Sequence, residues 1–299
     1  MTAAHGLIRP PHFIVIGAIK AATTWTAHKL NENPALSLPG PEPHFFSVEW
    51  ERGFTYYDSL FADAPRDAIV GEKSADYLSH ERAAERIAAT VPDAKLIVQL
   101  RNPVERAYSD YRMLYRRGTV REAPDAYFAG SDAYGARFLE GGLYATHLKR
   151  FLDRFPREQL LVVPYEDVSA RPEATLRAIS AHIGVEPHVP QENLTKPAND
   201  GAAAVLPLPM RTALRPFKDA VRGLRGNPAF EAVRGVFARP VRYPPLTQSA
   251  RERLTDFYRE DVEALGRLLG RDLSGWLSPD GGAPADAPTN STGERTAIA

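Results

Sequence analysis

Phe13-Ile-Val-Ile-Gly-Ala-Ile-Lys-Ala-Ala-Thr-Thr24 is the stretch that decides the fold. Its first four residues are apolar, and Ile14, Val15 and Ile16 are β-branched, the pattern of a strand buried on both faces of a parallel sheet. Gly17 closes the strand. The threonines then start a helix over Thr23 to Leu30, which ends before Asn33-Pro34 because proline turns its predecessor away from helix. The turn between strand and helix is where exposed backbone N–H groups and the helix dipole favour an anion, phosphate above all. The octamer from Gly17 to Thr24 also suits an ordinary strand–helix turn carrying a solvated lysine, so taken alone it leaves both readings open. It is not a Walker A sequence, which would need glycine at Ala22 and lysine at Thr23.

Working outward, Ala68-Ile-Val70, Lys95-Leu-Ile-Val-Gln-Leu100 and Gln159-Leu-Leu-Val-Val163 repeat the apolar run, with helical segments between them. That alternation predicts an α/β fold: a mainly parallel central β-sheet with helices on both faces. After the Lys95 run, Asn102 caps a helix with Pro103 at its first position, and Val104, Ala107, Tyr108, Tyr111, Leu114 and Tyr115 share its core face. A second long helix spans Thr247 to Leu269, with Leu254, Phe257, Tyr258, Val262, Leu265, Leu268 and Leu269 at helical spacing.

Residues 12–277 read as one domain, preceded by a short extension over 1–11 and followed from Ser278 by a Pro, Gly, Ala, Asp and Ser-rich tail with too little apolar area to order. Within the domain, 206–243 is a basic insertion in which Leu214, Phe217, Val221 and Leu224 recur at near-helical spacing. That pattern predicts a lid-like amphipathic cover on the acceptor side, with a static helical hairpin as the alternative.

Composition removes several classes of function. Lys plus Arg and Asp plus Glu number 37 each, so no global field draws the chain to nucleic acid, and any anion site must be local. The absence of cysteine excludes disulfides, thiolate catalysis and Cys-based zinc sites. Eight scattered histidines contain no HExxH or other close pair, which predicts no metal site. No apolar run approaches the roughly 18 residues of a membrane span, and Met1 to His12 has no leader pattern, so the expected location is cytoplasmic.

A second anion candidate is Leu100-Arg-Asn-Pro-Val-Glu-Arg-Ala-Tyr-Ser109, a strand that ends in arginine and runs into a capped helix. Arg101 and Ser109 are about 12 Å apart along such a helix, a gap a long arginine can largely close, so both could hold one phosphate. Alone, the same residues serve as a strand-end ion pair and an exposed serine.

Taken together, Lys20-x-x-Thr-Thr24, Glu42-Pro-His-Phe-Phe46, Gly71-Glu-Lys-Ser74 and Arg101-Asn-Pro-x-x-Arg-x-x-Ser109 resemble the sulfotransferases that use 3′-phosphoadenosine 5′-phosphosulfate (PAPS), in particular their bacterial and heparan-modifying branches. The resemblance covers most of residues 12–200 and extends to Tyr243-Pro-Pro-Leu and Leu273-Ser-Gly-Trp276. It implies a P-loop-like sheet and transfer of a sulfuryl group from PAPS to a hydroxyl or amino group of a small acceptor, releasing 3′,5′-adenosine bisphosphate (PAP), with no metal required. Saccharide, glycolipid or other lipid-linked acceptor, and natural product all remain open.

By the same resemblance, Lys20, Ala21, Ala22, Thr23 and Thr24 cradle the 5′-phosphosulfate, while Arg101 and Ser109 grip the 3′-phosphate. Glu42 is the general base, since hydroxyl attack on sulfur needs its proton removed. His44 orients Glu42, contacts the acceptor, or is merely packed beside Phe45-Phe46. Lys73 matches a second active-site lysine, and the late nucleotide-covering loop, Asn193 to Gly201, offers Lys196. The chain departs from the family at Ala22, where glycine is usual: if φ there is positive or phosphate approaches closely, the methyl weakens binding. The rival functions are a P-loop kinase-like phosphotransferase and a non-catalytic nucleotide-binding protein.

Overall fold

The computed structural model describes residues 6–129, 133–189, 194, 204–213, 227, 232 and 235–278. Strand β1, Phe13–Gly17, has every residue buried, as its apolar run predicts. It lies in the middle of a five-stranded sheet of order β2-β3-β1-β4-β5, where β2 is Leu36–Ser37, β3 Ile69–Lys73, β4 Lys95–Leu100 and β5 Leu160–Pro164. The pairings β1–β3, β1–β4, β2–β3 and β4–β5 are all parallel. Gly71 of β3 sits opposite Phe13, and a Cβ there would lie 2.2 Å from the Phe13 ring. Only glycine lets that ring cross the neighbouring strand.

The sheet carries helices on both faces. In chain order they are α1 (Thr23–Asn31), α2 (Gly53–Ser59), α3 (Ala83–Thr90), α4 (Pro103–Arg117), α5 (Pro124–Phe128), α6 (Ala133–Glu140), α7 (Tyr144–Leu152), α8 (Tyr165–Ala170), α9 (Pro172–Ile183), α10 (Leu208–Ala213) and α11 (Gln248–Leu269). Alternate residues of β1 feed two cores. Ile14 and Ile16 pack with α3, α4, α7 and α11, whereas Phe13 and Val15 pack with Trp25 and Leu30 of α1, Val168 of α8, and Leu176 and Ile179 of α9.

Predicted and observed boundaries agree closely at β1, β4 and α1. β3 runs past the expected Ala68–Val70 to include Glu72 and Lys73, because tertiary partners satisfy both polar side chains there. Asn102 caps α4 as expected, accepting from Val104 N at 2.9 Å and Glu105 N at 3.3 Å. Thr247 caps α11, and Leu254, Tyr258, Val262 and Leu265 form its buried stripe. Phe257 and Leu268, expected on that face, are 46% and 39% exposed instead; helical rotation puts them on its flanks.

Much of the anticipated 206–243 cover lies outside the described residues, among it Leu214, Phe217, Val221 and Leu224; so do Lys196 and nearly all of the tail. Of the cover, α10 and an antiparallel bridge from Val205 to Arg239 are described. No helix among the described residues is long and apolar enough to cross a membrane.

Candidate functional site

β1, β3 and β4 are parallel neighbours, so the segments that follow them meet along one edge of the sheet. This is the edge where ligands bind in open α/β folds. Lys20 follows β1, Lys73 ends β3 and Arg101 follows β4. The hydrogen bonds Ser74 N to Val15 O (3.1 Å) and Leu78 N to Ile16 O (2.8 Å) lash the β3 exit to β1.

The turn after β1 puts two non-glycine residues in the left-handed region, Lys20 at φ 71° and Ala22 at φ 68°. Ala22 is therefore the position where the expected departure from glycine matters: it is the N-cap of α1, left-handed, and supplies no side-chain cap. The amides of Lys20, Ala22, Thr23 and Thr24 make no hydrogen bond among the described residues, which leaves a row of donors at the helix start. Burial holds the Lys20 ammonium below its usual pKa; Asp110 works against this, while Arg101, Arg117 and Arg112 add to it. An arriving anion would relieve that surplus of positive charge.

Arg101 is half-buried. Its Nη1 reaches Lys20 O at 3.4 Å, its guanidinium lies 4.4 Å over the Tyr165 ring, and Tyr144 Oη donates to its carbonyl at 2.9 Å. Asn102, besides capping α4, donates to Trp276 O at 3.1 Å, so the C-terminal Leu273-Ser-Gly-Trp276 stretch is tied to the start of α4. Ser109 is half-buried two turns along α4, and no hydrogen bond joins it to Arg101 among the described residues. Lys196 is outside the described residues.

Glu42 and Lys73, more than 30 positions apart in sequence, form a direct pair: Lys73 Nζ lies 2.5 Å from Glu42 Oε1. Ala75 N donates to the other carboxylate oxygen at 3.0 Å. Lys73 is only 9% exposed, so it is not a solvated strand-end lysine. His44 makes no hydrogen bond to Glu42 among the described residues. Its Nδ1 lies 2.6 Å from Asp76 Oδ1, and Ser47 Oγ donates to Asp76 Oδ2 at 2.5 Å. The hydrogen bond to Asp76 raises the His44 pKa. Burial alone would raise Asp76, but its bonds from His44 and Ser47 prevail and hold it low. His44, like Lys20 and Ala22, has positive φ, at 51°.

The histidine spacing predicted no metal site, yet the fold gathers one atom each from Glu42, His44 and Asp76 within 4.8 Å of one another. Such a set could accept a cation, although each member already has a protein partner.

The sequence reading passed over Asp76, Tyr165, Tyr144 and, most of all, Glu72. Tyr144 and Tyr165 carry no local signal, since their roles depend on helices that reach β4 from elsewhere. Glu72 carried none either, since the expected strand ended at Val70 and the hydroxyls that satisfy its carboxylate come from α2 and the turn after β3.

A model described as the sulfotransferase family matches residues 54–189. The chain is 29% identical over 295 residues to bifunctional heparan sulfate N-deacetylase/N-sulfotransferase 2 of Homo sapiens, covering 90% of this chain and 31% of that protein. It is 28% identical over 271 residues to heparan sulfate glucosamine 3-O-sulfotransferase 3B1 of Mus musculus, covering 89% of this chain and 65% of that one. The chain thus spans less than two-thirds of either relative. Among solved structures, a sulfotransferase from Alicyclobacillus acidocaldarius superposes with a TM-score of 0.67 at 26% identity, covering 91% of this chain and all of that one.

Proposed function

We propose that this chain, which belongs to the sulfotransferase family, moves a sulfuryl group from PAPS to a hydroxyl or amino group of a small acceptor and releases PAP. The observation that carries this reading is the Lys73–Glu42 pair beside the unpartnered amides that follow Lys20. In the proposed step the acceptor oxygen or nitrogen attacks sulfur, and the bond from sulfur to the 5′-phosphate oxygen breaks. Lys20 and the amides of Ala22, Thr23 and Thr24 meet the charge that grows on the leaving oxygen. Glu42 takes the acceptor's proton, exchanging its contact with Lys73 as it does so, and Lys73 turns its charge toward the sulfuryl oxygens. Arg101 and Ser109 bind the 3′-phosphate. This division of labour is positioning plus electrostatics, as in phosphoryl transfer.

The named relatives act on heparan sulfate, one at nitrogen and one at oxygen. Their similarity supports a saccharide as the first acceptor class to test, with both linkages included. Thermal unfolding with PAP, ADP and ATP plus Mg²⁺, followed by transfer from labelled PAPS to amino-sugar oligosaccharides, tests the reading. PAP should raise the midpoint most, by mass action. Stabilisation by ATP and Mg²⁺ but not by PAP would replace it with the kinase-like reading, and PAP binding without transfer to any acceptor would favour a non-catalytic role.

A further inference from the structure

Glu72 is completely buried in β3, opposite Ile14 of β1. A carboxylate in such a place demands donors, and three hydroxyls supply them. Tyr57 Oη of α2 donates to Oε1 at 2.6 Å, and Ser74 Oγ to Oε2 at 3.0 Å. Tyr77 Oη lies 3.2 and 3.0 Å from the two oxygens.

The same three side chains hold the segment that carries Glu42 and His44. His44 N donates to Ser74 Oγ at 2.9 Å, Phe46 N donates to Tyr77 Oη at 3.2 Å, and the Tyr57 ring stacks on Phe45 at 4.4 Å. Each hydroxyl has a single proton. Because the oxygens of Ser74 and Tyr77 accept from loop amides, their protons are free to point at Glu72, and the carboxylate fixes the direction of the network. His44 is also the loop residue with positive φ, a backbone state that persists only when its surroundings impose it.

We infer that Glu72 is a positioning residue for the proposed transfer: through Ser74, Tyr77 and Tyr57 its carboxylate fixes the 42–47 backbone that presents Glu42 and His44. The inference rests on the sulfotransferase reading for its effect on turnover, but not for its effect on the loop. Burial raises Glu72 to about 7, against the pull of the Tyr57, Ser74 and Tyr77 hydrogen bonds and aided by Asp76. His44, whose own pKa Glu72 helps raise, is the titratable cation facing it from the loop. A proton on Glu72 would be a donor among donors, so the network tightens as pH rises through that value.

Glu72→Gln puts a permanent donor group in the same shape. The variant should bind PAP within about threefold of wild type, while the His44 and Phe46 amides exchange with solvent at least roughly tenfold faster. Its turnover should fall at least roughly tenfold, and the acid limb of the wild-type kcat profile near pH 7 should vanish. A folded variant with wild-type exchange, or with faster exchange but wild-type kcat and pH profile, overturns the inference. Should Glu72→Gln fail to fold, Ser74→Ala and Tyr77→Phe, which each delete one hydroxyl, decide the matter by the same readouts: unchanged exchange and kcat in both overturn it. If wild type transfers no sulfuryl group, the proposed function fails, and exchange at His44 and Phe46 alone judges the role of Glu72.

Discussion

Lys73 Nζ stands 2.5 Å from Glu42 Oε1, and Ala75 N holds the carboxylate's second oxygen at 3.0 Å. The pair joins the end of β3 to a loop from much earlier in the chain, and places a carboxylate and a cation together at the sheet edge beside the Lys20 turn. A carboxylate held from both sides keeps its orientation, and in the proposed transfer the acceptor competes for it.

Glu42→Gln should therefore leave PAP affinity within about threefold of wild type while turnover drops on the order of 100-fold or more, because glutamine keeps the shape and loses the base. Calorimetry with PAP alongside steady-state rates separates the two. Loss of PAP binding together with activity would assign Glu42 to the nucleotide site or to the fold.

Ala22 sits at φ 68°, a conformation that costs an L-residue about 1–2 kcal/mol and glycine almost nothing. Ala22→Gly gives back part of this through the greater freedom of glycine in the unfolded chain, about 0.5–1 kcal/mol. The net expectation is a rise in thermal midpoint of roughly 1–3 °C, with PAP bound at least as tightly. A lower midpoint in calorimetry would show that the turn does not keep this conformation in solution.

Arg101 touches Lys20 O and Tyr165 but forms no ion pair among the described residues, which leaves its charge available for the 3′-phosphate of the proposed donor. Arg101→Ala should weaken PAP far more than adenosine 5′-phosphosulfate, which lacks that group, since arginine–phosphate contacts are charge-assisted. Equal weakening of the two ligands in a binding titration would remove Arg101 from the 3′ position.

Stability should fall as pH rises from mildly acid to neutral. Glu72 is raised from 4.5 to about 7, so below pH 4.5 both the folded and unfolded states hold the proton. Between those values only the unfolded chain releases it, which draws the equilibrium toward unfolding; above about 7 the effect levels off. His44, raised by its bond to Asp76, acts in the same sense: its contribution is complete below 6.5 and is lost as pH rises through its higher folded value. Chemical denaturation of wild type and Glu72→Gln between about pH 4.5 and 7.5 isolates the carboxylate. The difference between the two proteins should move against wild type as pH rises, and a pH-independent difference would mean that Glu72 does not titrate in this range.

Sequence by itself determined four of the five strands, the turn after β1 and the capped start of α4. These are local: an apolar β-branched run makes a buried strand, and Asn102-Pro103 fixes a helix start whatever surrounds it. It also supplied Lys20, Glu42, Lys73 and Arg101 as candidates, through motifs whose order matches a known family. What only the tertiary structure decided is which of these side chains meet. Glu42 closes on Lys73 because parallel strands deliver both to one edge, and His44 closes on Asp76 instead of Glu42 because the turn after β3 folds back along β1. The sign of φ at Ala22 was likewise undecidable from an alanine, which prefers negative φ; in the folded chain the turn between β1 and α1 holds it in the other state. Glu72 shows the limit most sharply. A glutamate in a strand reads locally as an exposed side chain, and only the three hydroxyls brought to it by α2 and the β3 turn make its burial possible.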